Sequence, residues 1–345
     1  MKKKFKVAVV IGRHQISHVG HELLKRKALE IAEQVVIIIG SSFQSRNPRN
    51  PFKWTERREM ILSTLSEEDR ARTVCVPIRD YYNDERWNTE VKRIVGEYAA
   101  QDIALVGHKK ETDIDIDTYY LDNFQEWSYL PVESDIKIDA SELRSIYFEA
   151  EEVDVSLSAI SDWILPPVKQ FLKAWSLRAE YRELVKEYKQ VKHEQDLWRG
   201  SPYPVIFSTA DAVVKINNSV LLGKRKHCPG KGLWALPGGF VEKDERVFTA
   251  ALRELKEETQ IGLMPVTLIN DFKAVKVFDH PKRSCRGRVI THAHFFDLRG
   301  AKFPAIKAAD DLEEVTWIAI DQLNDMEELF FEDHFHILNE FLGLR

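Results

Sequence analysis

Apolar runs of strand length alternate with stretches of helical period through the first half of the chain. Phe5 to Ile11 is such a run, and His21 to Glu33 carries Leu24, Ala28, Leu29, Ile31 and Ala32 at near-helical spacing. Val35 to Gly40 follows as a second, β-branched run. A strand, a helix and a strand in that order predict a βαβ unit on a parallel sheet. The pattern recurs, with helices over Thr55–Leu65 and Thr89–Tyr98 and strands over Thr73–Ile78 and Ile103–Val106. The expected fold class is α/β, a doubly wound parallel sheet covered by helices on both faces.

From Pro166 to Trp198 the pattern changes. Phe171, Leu172, Trp175, Leu177, Tyr181, Leu184, Val185 and Tyr188 recur at helical spacing among charges, ending at Gly200-Ser201-Pro202. One long amphipathic connecting helix is predicted, its aromatics used for packing. Beyond Pro204 the chain reads as β: Val205–Ile216, a turn at Asn217-Asn218, and Val220-Leu221-Leu222 form a hairpin. A helix over Val247–Thr259 follows, then strands near Ala274–Phe278, Val289–Asp297 and Val315–Ile318, and a last helix over Met326–Phe341. This half is α+β. The expected division is residues 1–165, a connecting helix at 166–200, and residues 201–345.

The length of 345 residues agrees with two domains at about 150 residues each. With 44% hydrophobic and 30% charged residues the composition is globular, which excludes disordered and collagen-like chains. The net charge of −5 argues against nucleic acid or a membrane surface as partner. Cys75, Cys228 and Cys285 form no CxxC or zinc spacing and are expected as free thiols. The run behind the basic N-terminus is too short for a signal peptide, and no apolar run reaches 18 residues, so a cytoplasmic protein without membrane spans is expected. Homo-oligomerisation is left open.

Two segments carry chemistry. Gly12-Arg13-His14-Gln15-Ile16-Ser17-His18-Val19-Gly20-His21 links the first strand to the first helix. Ligands of open α/β sheets sit beyond the carboxyl ends of the strands, and helix N-termini attract phosphates. His18 and His21 share a face at that terminus, and Gly12 and Gly20 allow close backbone approach. The segment resembles the HxGH signature of nucleotidyltransferases with a Rossmann-like domain, and specifically the archaeal-type nicotinamide mononucleotide (NMN) adenylyltransferases. It departs from their Gly-Arg-Phe-Gln-Pro run at His14 and Ile16. Ser141 and Arg144 resemble that family's second signature, with Ser141 expected to cap a helix and bond a phosphate. Asn50-Pro51-Phe52 with Glu56-Arg57 is similar to a further family segment. The resemblance implies ATP and phosphate contacts from Gly12, Arg13, His18, Gly20, His21, Gly107, Lys109, Ser141 and Arg144. It implies NMN contacts from Arg57, Asp80 and Trp87. His18, His21 and Arg144 would be catalytic, and Mg²⁺ (or Mn²⁺) would bridge the phosphates. The implied reaction is ATP plus NMN giving NAD and pyrophosphate.

The second segment is Gly239, Glu245, Arg253, Glu254, Glu257 and Glu258. Glu254, Glu257 and Glu258 are three and four apart, so they share one helix face. Three like charges so close call for hard divalent cations. Arg253 could pair with Glu257, and Gly238-Gly239 bring backbone close to a metal. The pattern resembles the Nudix box, with Gln260 where its last glycine stands, and an altered helix end is expected there. The resemblance implies Mg²⁺ (or Mn²⁺) held by Gly238, Glu254, Glu257 and Glu258, and hydrolysis of a nucleoside diphosphate derivative by activated water. Glu257 would be catalytic, with Glu314, or its neighbour Glu313, as general base. The whole chain resembles bacterial bifunctional NMN adenylyltransferase/Nudix hydrolases, which implies ADP-ribose as second substrate. Nicotinate mononucleotide or phosphopantetheine stay open as acceptors, and NADH or diadenosine polyphosphates as Nudix substrates. A non-catalytic ADP-ribose sensor is the reading from another class. The intact carboxylates and the negative charge count against it.

Asp113, Asp115 and Asp117 alternate and are expected on a solvated loop. His292 and His294 share a strand face and are expected as a packed or surface pair.

Overall fold

The computed structural model describes residues 3–108, 123–133 and 139–344. Lys109 and the Asp113–Asp117 alternation lie outside the described residues. The chain divides into two compact units, Met1–Val185 and Lys186–Arg345.

The first unit runs β1 (Phe5–Gly12), α1 (Val19–Ile31), β2 (Ala32–Ile39), α2 (Trp54–Ser63), α3 (Glu67–Ala71), β3 (Thr73–Pro77), α4 (Asp84–Gly96), β4 (Ile103–His108), β5 (Ser128–Val132), α5 (Ala140–Glu149), α6 (Val153–Ala159), α7 (Pro166–Trp175) and the start of α8 (Ala179–Leu197). Its five-stranded sheet has the order β3-β2-β1-β4-β5 and is parallel throughout. The central strands are apolar on both faces because both faces are covered. Ala8, Val10, Val35, Ile37 and Val106 pack with Leu24, Ala28 and Ile61 of α1 and α2. Val7, Val9, Val36, Ile38 and Leu105 pack with Val91, Ile94 and Val95 of α4. The expected doubly wound α/β architecture is present. Two elements differ from expectation. β5 is an edge strand interrupted by Pro131 and half exposed, so it carries no apolar alternation. The long connecting helix is broken into α7 and α8 at Ser176–Arg178. The break is set by Glu56, whose Oε1 accepts from Trp175 Nε1 at 3.0 Å and from Arg178 at 2.8 Å. Trp175, Tyr181 and Leu184 are buried, while Leu177 at the break is 77% exposed.

The second unit takes up the rest of α8, then β6 (Ile206–Ile216), β7 (Ser219–Arg225), β8 (Trp234–Ala235), β9 (Gly238–Phe240), α9 (Val247–Thr259), α10 (Pro265–Asp271), β10 (Phe272–Phe278), β11 (Arg288–Leu298), β12 (Leu312–Ala319) and α11 (His334–Leu342). The sheet order is β10-β11-β6-β7-β12, with β8 on β7 and β9 on β6. Only β11 and β6 pair in parallel, which makes this sheet mixed. Asn217 takes the left-handed conformation (φ 51°) that the β6–β7 hairpin turn needs. Leu255 of α9 packs on Ala212, Val214 and Phe296, and Phe335 and Leu338 of α11 pack on Val213 and Leu222. The last helix is shorter than expected. The Phe331 N–H donates to the Trp234 carbonyl and Asp333 pairs with Arg283, so this stretch is spent on the sheet before the helix starts. His294 is buried between Phe248 and Phe272 with its Nδ1 left without a hydrogen-bond partner among the described residues, and His292 is half-buried. The three cysteines are free. Among the described residues no helix is long and apolar enough to cross a membrane.

Candidate functional sites

The first site lies at the carboxyl end of β1. α1 begins with His18 as its N-cap, and its ring Nδ1 accepts from the Gly20 N–H at 3.1 Å. The His21 Nδ1 accepts from the His18 N–H at 3.3 Å. These two bonds form a capping box made of imidazoles. They also fix the tautomer: with both Nδ1 atoms accepting, both protons sit on Nε2. The two rings lie with centroids 3.9 Å apart and planes tilted by 48°, and the His14 ring lies 4.2 Å from that of His21, tilted by 34°. Burial holds all three in the neutral form, His18 at about 4 and His14 and His21 well below the ordinary histidine range. Three imidazolium ions so close would repel strongly. The result is a pair of neutral Nε2–H donors at a helix N-terminus. Gly20 leaves room for this cap, since a Cβ there would lie 3.0 Å from the His18 ring and press on it.

Arg144 is buried beside this loop. It donates to the Gln15 carbonyl, and its Nη2 donates to Ser141 Oγ at 2.9 Å. Ser141 is not the helix cap that the sequence suggested. Asp139 takes that place, accepting from the Ser141 N–H at 2.8 Å, and so leaves the Ser141 hydroxyl to Arg144. Gln15, which the motif reading passed over, ties the loop to Phe52 by two bonds of 3.1 and 3.0 Å. His108, at the end of β4 after Gly107, is electrostatically coupled to His18.

Arg57 requires a correction. The resemblance implied an NMN contact, but the side chain is only 1% exposed. Its Nη1 donates to the Arg13 and Gly40 carbonyls, both at 2.7 Å, and its Nη2 to the Ser41 carbonyl at 3.1 Å. A guanidinium spent on three carbonyls braces the ends of β1 and β2 and has little left for a ligand. Asp80 accepts from Gln44 at 2.8 Å just beyond β3, and Trp87 is half-buried on α4 against Phe124.

The second site is the carboxylate face of α9. Arg253 is its hub. It pairs with Glu245 at 2.6 Å, Glu254 at 2.8 Å and Glu257 at 2.9 Å, and donates to the Phe240 carbonyl at 3.1 Å. The expected Arg253–Glu257 pair is thus one of three. Glu258 turns the other way and accepts from the Gly238 N–H at 2.9 Å. Burial, and then the neighbouring Glu254, push the Glu258 carboxyl up to about 8, although the Gly238 N–H opposes this. Glu254 is also raised, chiefly by burial. No Cβ fits at Gly238, where it would lie 2.5 Å from the Ala210 carbonyl oxygen, and one at Gly239 would lie 2.5 Å from a Glu254 oxygen and displace that carboxylate.

Among the described residues no group of acidic, histidine or cysteine side chains is set to hold a metal as it stands. Glu254 and Glu257 converge on Arg253 Nη1, which supplies the cationic charge between them, while Glu258 turns to the Gly238 N–H. The donors still fit a hard divalent cation: they are carboxylate oxygens, and burial disfavours the charge of Glu254 and Glu258 until a cation arrives.

Glu314, expected as the general base, lies on β12. It faces Lys224 across the β12–β7 pair at 3.4 Å and is half exposed. Asp310 and Asp311 are the acids electrostatically coupled to Glu254 and Glu258. The Ala309 N–H donates to the Glu258 carbonyl at 2.9 Å and brings that loop to the end of α9. No periodicity marks those aspartates, so the sequence offered no signal for them. Gln260 overturns the expected altered helix end. It adopts the left-handed conformation itself (φ 43°, ψ 36°), and its N–H donates to the Lys256 carbonyl.

A family profile described as Cytidylyltransferase-like matches residues 9–212, and one described as NUDIX domain matches residues 207–341. A nicotinamide/nicotinic acid mononucleotide adenylyltransferase of Acinetobacter baylyi is 35% identical over 189 residues, 54% of this chain and 95% of the relative. An ADP-ribose pyrophosphatase of Methanocaldococcus jannaschii is 36% identical over 154 residues, 45% of this chain and 83% of the relative. The crystal structure of a bifunctional NMN adenylyltransferase/ADP ribose pyrophosphatase from Francisella tularensis, complexed with AMP and Mn ion, is 33% identical. It superposes with a TM-score of 0.88, covering 98% of this chain and 99% of that one. The chain belongs to the cytidylyltransferase-like family and carries a NUDIX domain as well.

Proposed function

We propose that this protein is a bifunctional enzyme of NAD metabolism. Residues 1–165 join ATP and NMN into NAD and pyrophosphate, and residues 201–345 hydrolyse ADP-ribose to AMP and ribose 5-phosphate. The observation that carries the reading is the end-to-end likeness to the Francisella protein, with an imidazole pair in one unit and a carboxylate face in the other.

In the transferase the NMN phosphate attacks the α-phosphorus of ATP, and pyrophosphate leaves. The residues position and neutralise. His18 and His21 present Nε2–H donors to the phosphates, His21 at the α-phosphate where charge grows. Arg144 stands beside them for the leaving pyrophosphate, oriented by Ser141. Gly12, Arg13, Gly20, Gly107 and Lys109 complete the ATP cradle. Asp80 and Trp87 serve the pyridine nucleotide, while Arg57 holds the loop ends in place. Mg²⁺ or Mn²⁺ supplies charge neutralisation at both sites.

In the hydrolase Glu254, Glu257, Glu258 and the Gly238 carbonyl would hold the cation, which acidifies water and screens the diphosphate. Arg253 fixes Glu257 and Glu254 in position through Glu245. The general base is drawn from the Asp310–Asp311 loop, whose acids act on Glu254 and Glu258, in preference to Glu314.

The test follows two products from one preparation. With Mg²⁺, wild type should form NAD from ATP and NMN, and AMP from ADP-ribose. His21→Ala should lower NAD formation at least 100-fold and leave AMP release intact. Glu257→Gln should do the reverse. Loss of both activities in either variant, or wild-type turnover in both, overturns the assignment.

A further inference from the structure

The segment between β10 and β11 is tied down almost residue by residue. Arg283 forms a two-point pair with Asp333, at 2.8 and 2.7 Å, with both side chains buried. The Cys285 N–H donates to Glu332 at 2.9 Å, and the Gln195 side chain donates to the Cys285 carbonyl at 2.8 Å. The Arg286 N–H donates to Ser284 Oγ at 3.2 Å. Its side chain then lies over the Phe240 ring, with the guanidinium carbon 5.1 Å from the ring centre. Phe240 directly follows Gly239, the residue that backs onto Glu254, and its carbonyl accepts from Arg253. Arg286 is therefore held next to the carboxylate face.

What distinguishes Arg286 is the company it lacks. Arg253 is saturated by three glutamates and Arg283 by Asp333. The Arg286 Nε is buried with no hydrogen-bond partner, and among the described residues no carboxylate pairs with its guanidinium. Arg225 of β7 stands as a second cation. It lies over Phe331 with Nε on the Pro229 carbonyl, and Glu332, next in the chain to Phe331, accepts from the Cys285 N–H that precedes Arg286. A pinned loop has already lost its entropy, and an open guanidinium fork matches phosphate oxygens in pairs.

We propose that Arg286, supported by Arg225, is the anion subsite of the hydrolase and takes the diphosphate of a nucleoside diphosphate substrate beside the metal-binding carboxylates. The proposal rests on the hydrolase reading above and adds the residues that select an anionic substrate.

The experiment compares wild type, Arg286→Ala and Arg286→Lys in two measurements. One is steady-state AMP release from ADP-ribose across a Mg²⁺ titration. The other is calorimetric binding of ADP-ribose in Ca²⁺, to slow turnover. Arg286→Ala should raise KM and Kd at least tenfold, leave the Mg²⁺ midpoint and NAD formation unchanged, and be partly rescued by lysine. Unchanged Kd and KM in a folded Arg286→Ala variant overturn the subsite. If wild type binds ADP-ribose without releasing AMP, the hydrolase reading falls, and the Kd comparison alone decides Arg286. If wild type neither binds nor hydrolyses it, both fall together.

Discussion

Gln260 ends α9 in a conformation that costs an L-residue free energy and glycine almost nothing (φ 43°, ψ 36°). Its N–H bond to the Lys256 carbonyl shows that the helix end needs this turn, whichever residue supplies it. Gln260→Gly is expected to stabilise the protein by about 0.5–1 kcal/mol, because left-handed strain is removed at a cost in unfolded-state entropy. Urea unfolding of the second unit checks this, and a lower midpoint would mean that the glutamine side chain holds more than the turn. The imidazole pair of the first site shows the same economy. Each ring caps a backbone N–H with one nitrogen and thereby commits its proton to the other.

At the scale of elements, one carboxylate decides where a helix stops. Glu56 of α2 is buried and accepts two bonds from Arg46, at 2.6 and 3.0 Å, besides those from Trp175 and Arg178. Burial alone would raise its pKa, but these donors and the Lys53 N–H hold it below the usual range. Removing it strands a buried indole N–H and a mostly buried guanidinium. Glu56→Ala should cost about 3 kcal/mol, whereas Arg178→Ala, half exposed, should cost under about 1 kcal/mol. Equal losses in thermal unfolding would show that the break between α7 and α8 does not depend on Glu56. This also explains what the sequence could show. The carboxylate helix Val247–Thr259 was legible to the residue, since apolar period and acid spacing are both local. The break at Ser176–Arg178 was not, because helical period runs through it and the residue that stops it is more than a hundred positions away. Arg57, Asp310 and Arg286 were missed or misassigned for the same reason. Their roles depend on backbone carbonyls, loop ends and rings that only the fold brings near.

At the scale of the whole molecule, the two units carry different sets of buried titrating groups. In the first, His14, His18 and His21 are neutral by burial, with the charges of Lys25, Arg57, His108 and Arg144 adding to the effect and Asp139 opposing it at His18. Their folded pKa values lie below the unfolded value of about 6.5, so the unfolded chain takes up protons first. The stability they give is whole above that pH and is lost as pH falls through their lowered folded values, about 4 for His18. The second unit has His334 acting in the same sense. It also has Glu187 at about 7 and Asp211 at about 6, both raised by burial. Groups raised in this way give stability that is whole below their unfolded pKa and lost as pH rises through the folded value. Acidification therefore takes stability from the first unit without compensation, while in the second the raised carboxyls, Glu254 and Glu258 among them, offset the histidine. In metal-free buffer, lowering the pH from 7.5 to 5.5 should shift the melting transition that ATP raises downward by several degrees. The transition that ADP-ribose raises should move less. His14→Phe should remove part of the first shift, since it deletes one buried imidazole from the cluster and keeps an aromatic ring in its place. Parallel shifts of both transitions, or an unchanged slope in the variant, would show that the clustered histidines do not govern the acid response.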